Sequence, residues 1–125
     1  MDVKWTSEQK KVIDLRDRDI LVSAAAGSGK TAVLVERIVN RICVDNPPVD
    51  IDRMLVVTFT KAAAAEMRER VSRAIDSLKE QKPDDENLQR QSTLVHNALI
   101  TTIRFVLSVC GAVIISHSLN LDPDF

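Results

Sequence analysis

An α/β fold with a parallel sheet and flanking helices is what this sequence predicts, on three observations. Two short apolar runs rich in β-branched residues, Ile20-Leu21-Val22 and Met54-Leu55-Val56-Val57, lack the alternation of half-exposed strands and read as buried strands. Each is followed by a segment whose apolar residues recur at three and four positions, the stripe of a helix packed on one side. Between the first run and its helix lies a glycine-containing turn, Ser23-Ala24-Ala25-Ala26-Gly27-Ser28-Gly29-Lys30-Thr31. Strand, helix, strand, helix is the order in which helical crossovers join parallel strands.

Taken in order, Thr6-Ser7-Glu8-Gln9 has the form of a capping box, and Val12, Ile13 and Leu15 continue it as a short helix ended by Asp17-Arg18-Asp19. The strand at 20–22 and the glycine turn follow. Leu34, Val35, Ile38, Val39 and Ile42 then mark a helix that Asn46-Pro47-Pro48 stops. The second strand lies within 51–59. Ala63, Met67, Val71, Ala74, Ile75 and Leu78 form the apolar stripe of a long helix, with Glu66, Arg68, Glu69, Arg70 and Arg73 on its wet face. Residues 82–86 make an exposed loop, 88–98 a weaker helix, and 100–103 a third short strand. Beyond that the pattern is hard to read.

Composition limits what such a fold can do. With 125 residues the chain suits one domain, and 45% apolar with 28% charged residues describes a folding chain rather than a collagenous or disordered one. The longest apolar run, 106–115, is broken by Ser108 and Gly111 and falls short of the roughly 18 residues that cross a bilayer. No membrane association is expected. Met1 leads into a polar stretch with no secretion pattern, so the cytoplasm is the expected compartment. Cys43 and Cys110 lie far apart, without CxxC or histidine at ligand spacing, which argues against zinc and disulfides. Seventeen basic against eighteen acidic side chains leave a net charge of -1, and neither half is a basic arm. Contact with nucleic acid would therefore be local.

Gly27-Ser28-Gly29-Lys30-Thr31 stands in the strand-to-helix context of a phosphate-binding P-loop. Glycines let successive backbone N–H groups turn inward, and the following helix adds its positive N-terminal end to the same point. Lys30 is then placed for the β- and γ-phosphates, and the Thr31 hydroxyl for the Mg²⁺ that bridges them. The pattern G-x-x-x-x-G-K-[ST] would put glycine at position 24, where the chain has Ala24; alanine suits that position if its φ is negative. Kinases, transporters and motors share this loop, so it names a ligand and not a reaction.

Three strings together resemble superfamily 1 helicases of the UvrD type, most closely the bacterial AddA-type component of ATP-dependent helicase-nucleases. They are Trp5-Thr6-Ser7-Glu8-Gln9, the loop from Ser23 to Thr31 with its triple alanine, and Thr58-Phe59-Thr60-Lys61-Ala62-Ala63-Ala64-Ala65-Glu66-Met67-Arg68-Glu69-Arg70. The resemblance implies a P-loop NTPase fold of the RecA-like kind, an incomplete first motor lobe, with ATP and Mg²⁺ as cofactors. It implies that Gln9 reads the adenine edge, for which an amide offers the donor and acceptor that N6 and N7 require. By the residues alone, Gln9 is read as completing the capping box by bonding back to the Thr6 backbone. Ala24, Ala25, Ala26, Gly27, Ser28, Gly29, Lys30 and Thr31 would hold the phosphates, and Trp5 would stand at the mouth of the pocket or staple the first helix. Thr58, Phe59, Thr60 and Lys61 match a motif that touches single-stranded DNA, Phe59 by stacking and the hydroxyls and helix amides by holding phosphate. Phe59 as a core residue is the competing reading. Relatives commonly carry asparagine where this chain has Lys61, a departure that leaves a lysine able to face phosphate but puts a network built on the asparagine in question.

The resemblance divides the chain at 103. Relatives continue with His-Ser-Phe-Cys, whereas this chain has Arg104-Phe105-Val106. A message CAT-TCG-TTT-TGT read one base late gives Ile-Arg-Phe-Val, the sequence from Ile103 to Val106, and Leu121-Asp122-Pro123-Asp124-Phe125 resembles the family again. Residues 1–103 are thus expected to be the N-terminal part of the helicase ATP-binding domain, and 104–125 a divergent continuation, with a frame shift within 104–118 and ordinary divergence as the two readings. The Walker B acids, arginine finger, second lobe and nuclease domain have no counterpart here, so the chain reads as a fragment that binds ATP without turning it over. The family implies double-strand-break repair and recombination, single-stranded DNA, and a heterodimer with a second helicase-nuclease chain. The alternative readings are a nucleoside kinase or other P-loop enzyme, and a non-catalytic nucleotide-binding module.

Overall fold

The computed structural model describes residues 4–23, 25, 27 and 29–110. Expectations for Ala24, Ala26, Ser28 and 111–125 lie outside the described residues. Helix α1, Ser7–Asp14, opens on the capping box: the Thr6 hydroxyl accepts from the Gln9 N–H at 3.2 Å, and the Gln9 Oε1 accepts from the Thr6 N–H at 2.9 Å. Helix α2, Lys30–Val39, starts directly after Gly29 and widens into a π-helical turn, Asn40–Val44, before the prolines. A 3₁₀ turn, Ile51–Arg53, leads into strand β1, Leu55–Thr58. The long helix α3, Lys61–Gln81, is followed by α4, Glu86–Leu94, a 3₁₀ turn Val95–Asn97, strand β2, Leu99–Thr102, and helix α5, Ile103–Cys110.

β1 and β2 pair in parallel with Val56 opposite Ile100 and Thr58 opposite Thr102, and form the two-stranded sheet of the described residues. The α/β class and the parallel sheet with helices beside it are therefore as the pattern predicts. Val56 and Ile100 point inward against Ala64, Met67, Val71 and Ile75 of α3 and Ile38 and Ile42 from α2 and its π turn. One buried polar side chain joins this core: Gln91 accepts from the Ile51 N–H at 3.0 Å and donates to Asp50 and Asn87, so its amide is satisfied despite full burial.

Two expectations are corrected. Ile20-Leu21-Val22 forms no strand; Leu21 is 89% exposed. A strand exists through its ladder, and β1 and β2 use each other, leaving 20–22 without a neighbour among the described residues. Nor is the sheet buried on both faces, because Leu55, Val57 and Leu99 on the outer side stand 57%, 40% and 51% exposed.

Candidate functional site

Gly27 and Gly29 carry φ of +77° and +80°, the left-handed region in which a β-carbon is strained. That conformation turns the chain at once into α2, whose N-cap is Gly29 and whose first turn carries no side-chain cap and no acidic residue. The first turn of the helix thus stands at the surface, with Lys30 and Thr31 both exposed. A backbone turned by two glycines onto an uncapped helix end is the chemistry of an anion cradle.

Gln9 comes to the same place from another helix. While its oxygen completes the capping box, its Nε2 lies 3.6 Å from where a β-carbon on Gly29 would stand. The two readings of Gln9 are therefore compatible in space: the cap fixes the side chain, and the fixed amide nitrogen stands beside the turn. Trp5 is half-buried and lines a groove of about 450 Å³ with Ala32, Val35 and Glu36 of α2 and Glu66, Arg70 and Arg73 of α3.

The second set of predicted residues clusters where the parallel strands end. The Thr60 hydroxyl caps α3 by accepting from the Ala63 N–H at 3.1 Å, and the Thr58 hydroxyl lies 3.0 Å from the Thr60 carbonyl and 3.2 Å from that of Thr101. Phe59 between them is 90% exposed, so the core reading fails: it projects from the strand end and fills no interior. Lys61 lines a cavity of about 280 Å³ with Ala64, Ala65 and Arg68 of α3, Ile100, Thr101 and Thr102 of β2, and Phe105 of α5. Two helices, α3 and α5, begin at this edge, the end of a parallel sheet at which ligands bind in α/β folds.

Several residues outside the predicted set hold these sites together. The charge pattern assigns Arg68 to a solvated face, but its guanidinium donates to the carbonyls of Ile100 at 3.1 Å and His96 at 3.3 Å, tying α3 to the approach to β2. Arg37 of α2 donates to the Val12 and Leu15 carbonyls at the end of α1, at 2.5 and 2.7 Å. Burial, then repulsion from Arg16 and Arg41, draws its pKa below the usual arginine value. Arg16 binds Asp45 through two hydrogen bonds, 2.7 and 3.0 Å, and Arg41 adds a third at 2.9 Å. Arg37 and Arg68 share one structural feature. Arg37 follows buried Val33, and Arg68 follows buried Ala64, by four residues, so each shares a face with the core.

Cys43 is half-buried, and burial followed by the nearby Asp85 charge pushes its thiol up to about 11, which removes it as a nucleophile at neutral pH. Among the described residues no cluster of three or more His, Cys, Asp and Glu could hold a metal ion, and no helix is long and apolar enough to cross a membrane.

The UvrD/REP helicase N-terminal domain family matches residues 5–122. The chain is 58% identical over 97% of its length to an ATP-dependent helicase/nuclease subunit of Lachnoclostridium phytofermentans. It is 54% identical over its whole length to the protein of that name from Thermoanaerobacter sp. X514, and 55% identical over 98% to that of Acetivibrio thermocellus. It spans 9 to 10% of the length of these relatives.

Proposed function

The chain belongs to the UvrD/REP helicase N-terminal domain family, and on that premise we propose that its residues 1–103 form the ATP-binding start of a RecA-like motor lobe. The whole protein, by the same reading, is the ATP-dependent DNA helicase and nuclease component of a double-strand-break repair and recombination enzyme, working in the cytoplasm with a second helicase-nuclease chain. The observation that carries the nucleotide reading is the pair of left-handed glycines, Gly27 and Gly29, immediately before an uncapped α2.

In this reading the left-handed backbone at Gly27 and Gly29 faces the β- and γ-phosphates and Lys30 supplies the positive charge. The exposed Thr31 hydroxyl in the first turn of α2 suits one ligand position of Mg²⁺, an ion that prefers oxygen ligands and phosphate partners. When bound, Mg²⁺ would neutralise charge on the phosphates. Gln9, held by its cap beside Gly29, presents an amide that can pair with adenine. Thr58, Phe59, Thr60 and Lys61 are proposed to meet single-stranded DNA: the exposed ring stacks on a base without choosing its identity, and the α3 N-terminus and Lys61 face phosphate.

Calorimetric titration of the 125-residue chain with MgATP tests the reading. Lys30→Ala is expected to abolish measurable heat while the chain stays folded by circular dichroism, since the lysine contributes charge-assisted hydrogen bonds of about 1.5 to 3 kcal/mol each. Equal affinity in both chains would reject it.

A further inference from the structure

We infer that Arg37 is a positioning residue for nucleobase selection, acting through α1: it clasps the end of that helix and thereby sets Gln9 against Gly29. The inference rests on the nucleotide reading above and assigns to that site a residue that touches neither phosphate nor base.

Helix α1 is weak on its own. Eight residues are too few to hold a helix by themselves, and Ile13 is its one buried side chain. Its position must come from what grips it. The grip is on its final carbonyls: Arg37 donates to Val12 and Leu15, and Arg16 donates to Ile13 at 2.5 Å and Leu15 at 3.1 Å. Cations at a helix C-terminus also meet the negative end of its dipole. Arg37 belongs to α2, the helix that begins at the glycine turn, so the clasp joins the helix bearing Gln9 to the helix bearing the phosphate loop. Arg16 is itself anchored through Asp45 to Arg41 in the π turn that follows α2. Gln9 lies one turn before Val12 and Ile13, close enough that movement of the gripped end is transmitted to the amide. The cap at Thr6 sets the rotamer of Gln9, and the clasp sets where that rotamer points.

The test uses the full 125-residue chain, with ATP, GTP and inorganic triphosphate as probes, and the nuclear Overhauser contact between the Gln9 side-chain amide and Gly29 as a readout that needs no ligand. Arg37→Ala is expected to lose that contact and to lower the preference for ATP over GTP by about tenfold, the scale of one well-made hydrogen bond. Its affinity for triphosphate should stay unchanged. Arg37→Lys, which keeps a donor for one carbonyl, should recover part of both and decides the matter if the alanine variant unfolds. An unchanged Gln9 contact and unchanged preference would overturn the inference, as would an equal loss of affinity for all three probes, the signature of a merely structural arginine. A wild-type chain that binds neither ATP nor triphosphate would instead reject the nucleotide reading, with the Gln9 contact then judging the clasp alone.

Discussion

Residues 20–31 and 54–61 are written to one plan, an apolar run, a short turn and a helix, yet only the second completes it. Leu55–Thr58 is a strand because Leu99–Thr102 lies beside it, and α3 packs back over the pair through Met67, Val71 and Ile75. In the first region α2 forms and the left-handed glycines form, but Ile20-Leu21-Val22 stays irregular with Leu21 in solvent. The difference separates two kinds of information. A helix and a tight turn are closed locally, by hydrogen bonds four residues apart and by φ angles that glycine permits. A strand takes the partner of each ladder hydrogen bond from elsewhere, so the same apolar run is a strand only where a neighbouring strand is supplied.

The contrast is broken most severely at its buried end. Ile75, fully buried beneath the sheet, should cost about 2 to 5 kcal/mol when replaced by alanine, by lost burial and the cavity left behind. Leu21→Ala, at a position 89% exposed, should fall within about 0.5 kcal/mol of the parent in urea unfolding. Comparable losses at the two positions would mean that 20–22 packs in solution as 55–58 does.

A second experiment sharpens the comparison at the level of function, because the glycine turn is proposed for nucleotide and the β1 edge for DNA. Phe59→Ala should weaken binding of an unstructured oligonucleotide by about 1 to 3 kcal/mol, the range for one stacked base. Stability and MgATP affinity should not change, since the ring is 90% exposed and lies in the second region. Fluorescence anisotropy against calorimetry on the same preparation checks it; a parallel fall in both affinities would merge the two sites.

How much of this is legible in the sequence follows the same physical division. The capping box at Thr6 and Gln9, the start of α2 at Lys30, the stripe of α3 and the turn formed by Gly27 and Gly29 are all readable, because each is decided within one or two helical turns. The short run that becomes β2 is readable too, offset by one residue, since Ile103 already belongs to α5. The pairing of β1 with β2, the open outer face at Leu55 and Leu99, and the exposure of Phe59 are not, because each depends on which elements arrive to cover which face. The arginine clasp escapes the pattern for a related reason. Arg37 and Arg16 have carbonyl partners 22 to 25 and one to three residues away, respectively. Carbonyl acceptors exist at every residue, so those partners leave no mark in the sequence, and the acidic partner of Arg16, Asp45, is distant along the chain.

The smallest expected effect belongs to Asp45, which links the clasp to the π turn that follows α2. Hydrogen bonding from Arg16, and then from Arg41, outweighs partial burial and holds its carboxyl below the usual aspartate pKa. A depressed folded-state pKa means that the unfolded chain takes up the proton first as pH falls. The pair therefore stabilises the chain fully above the ordinary aspartate value near pH 4, and the stabilisation fades as pH drops through the lower folded value. Asp45→Asn should lose at most about 1 kcal/mol at pH 7, the scale of partly exposed ion pairs, and the gap between variant and parent should narrow on acidification. The two regions should feel this unequally. Loosening Arg16 relaxes the grip on α1 and hence on Gln9, whereas β1, β2 and α3 contain none of the three charged groups involved. Amide exchange followed at pH 7 should therefore rise in α1 of Asp45→Asn and stay level in α3; a uniform rise across both would show that the clasp supports the whole core rather than the helix it holds.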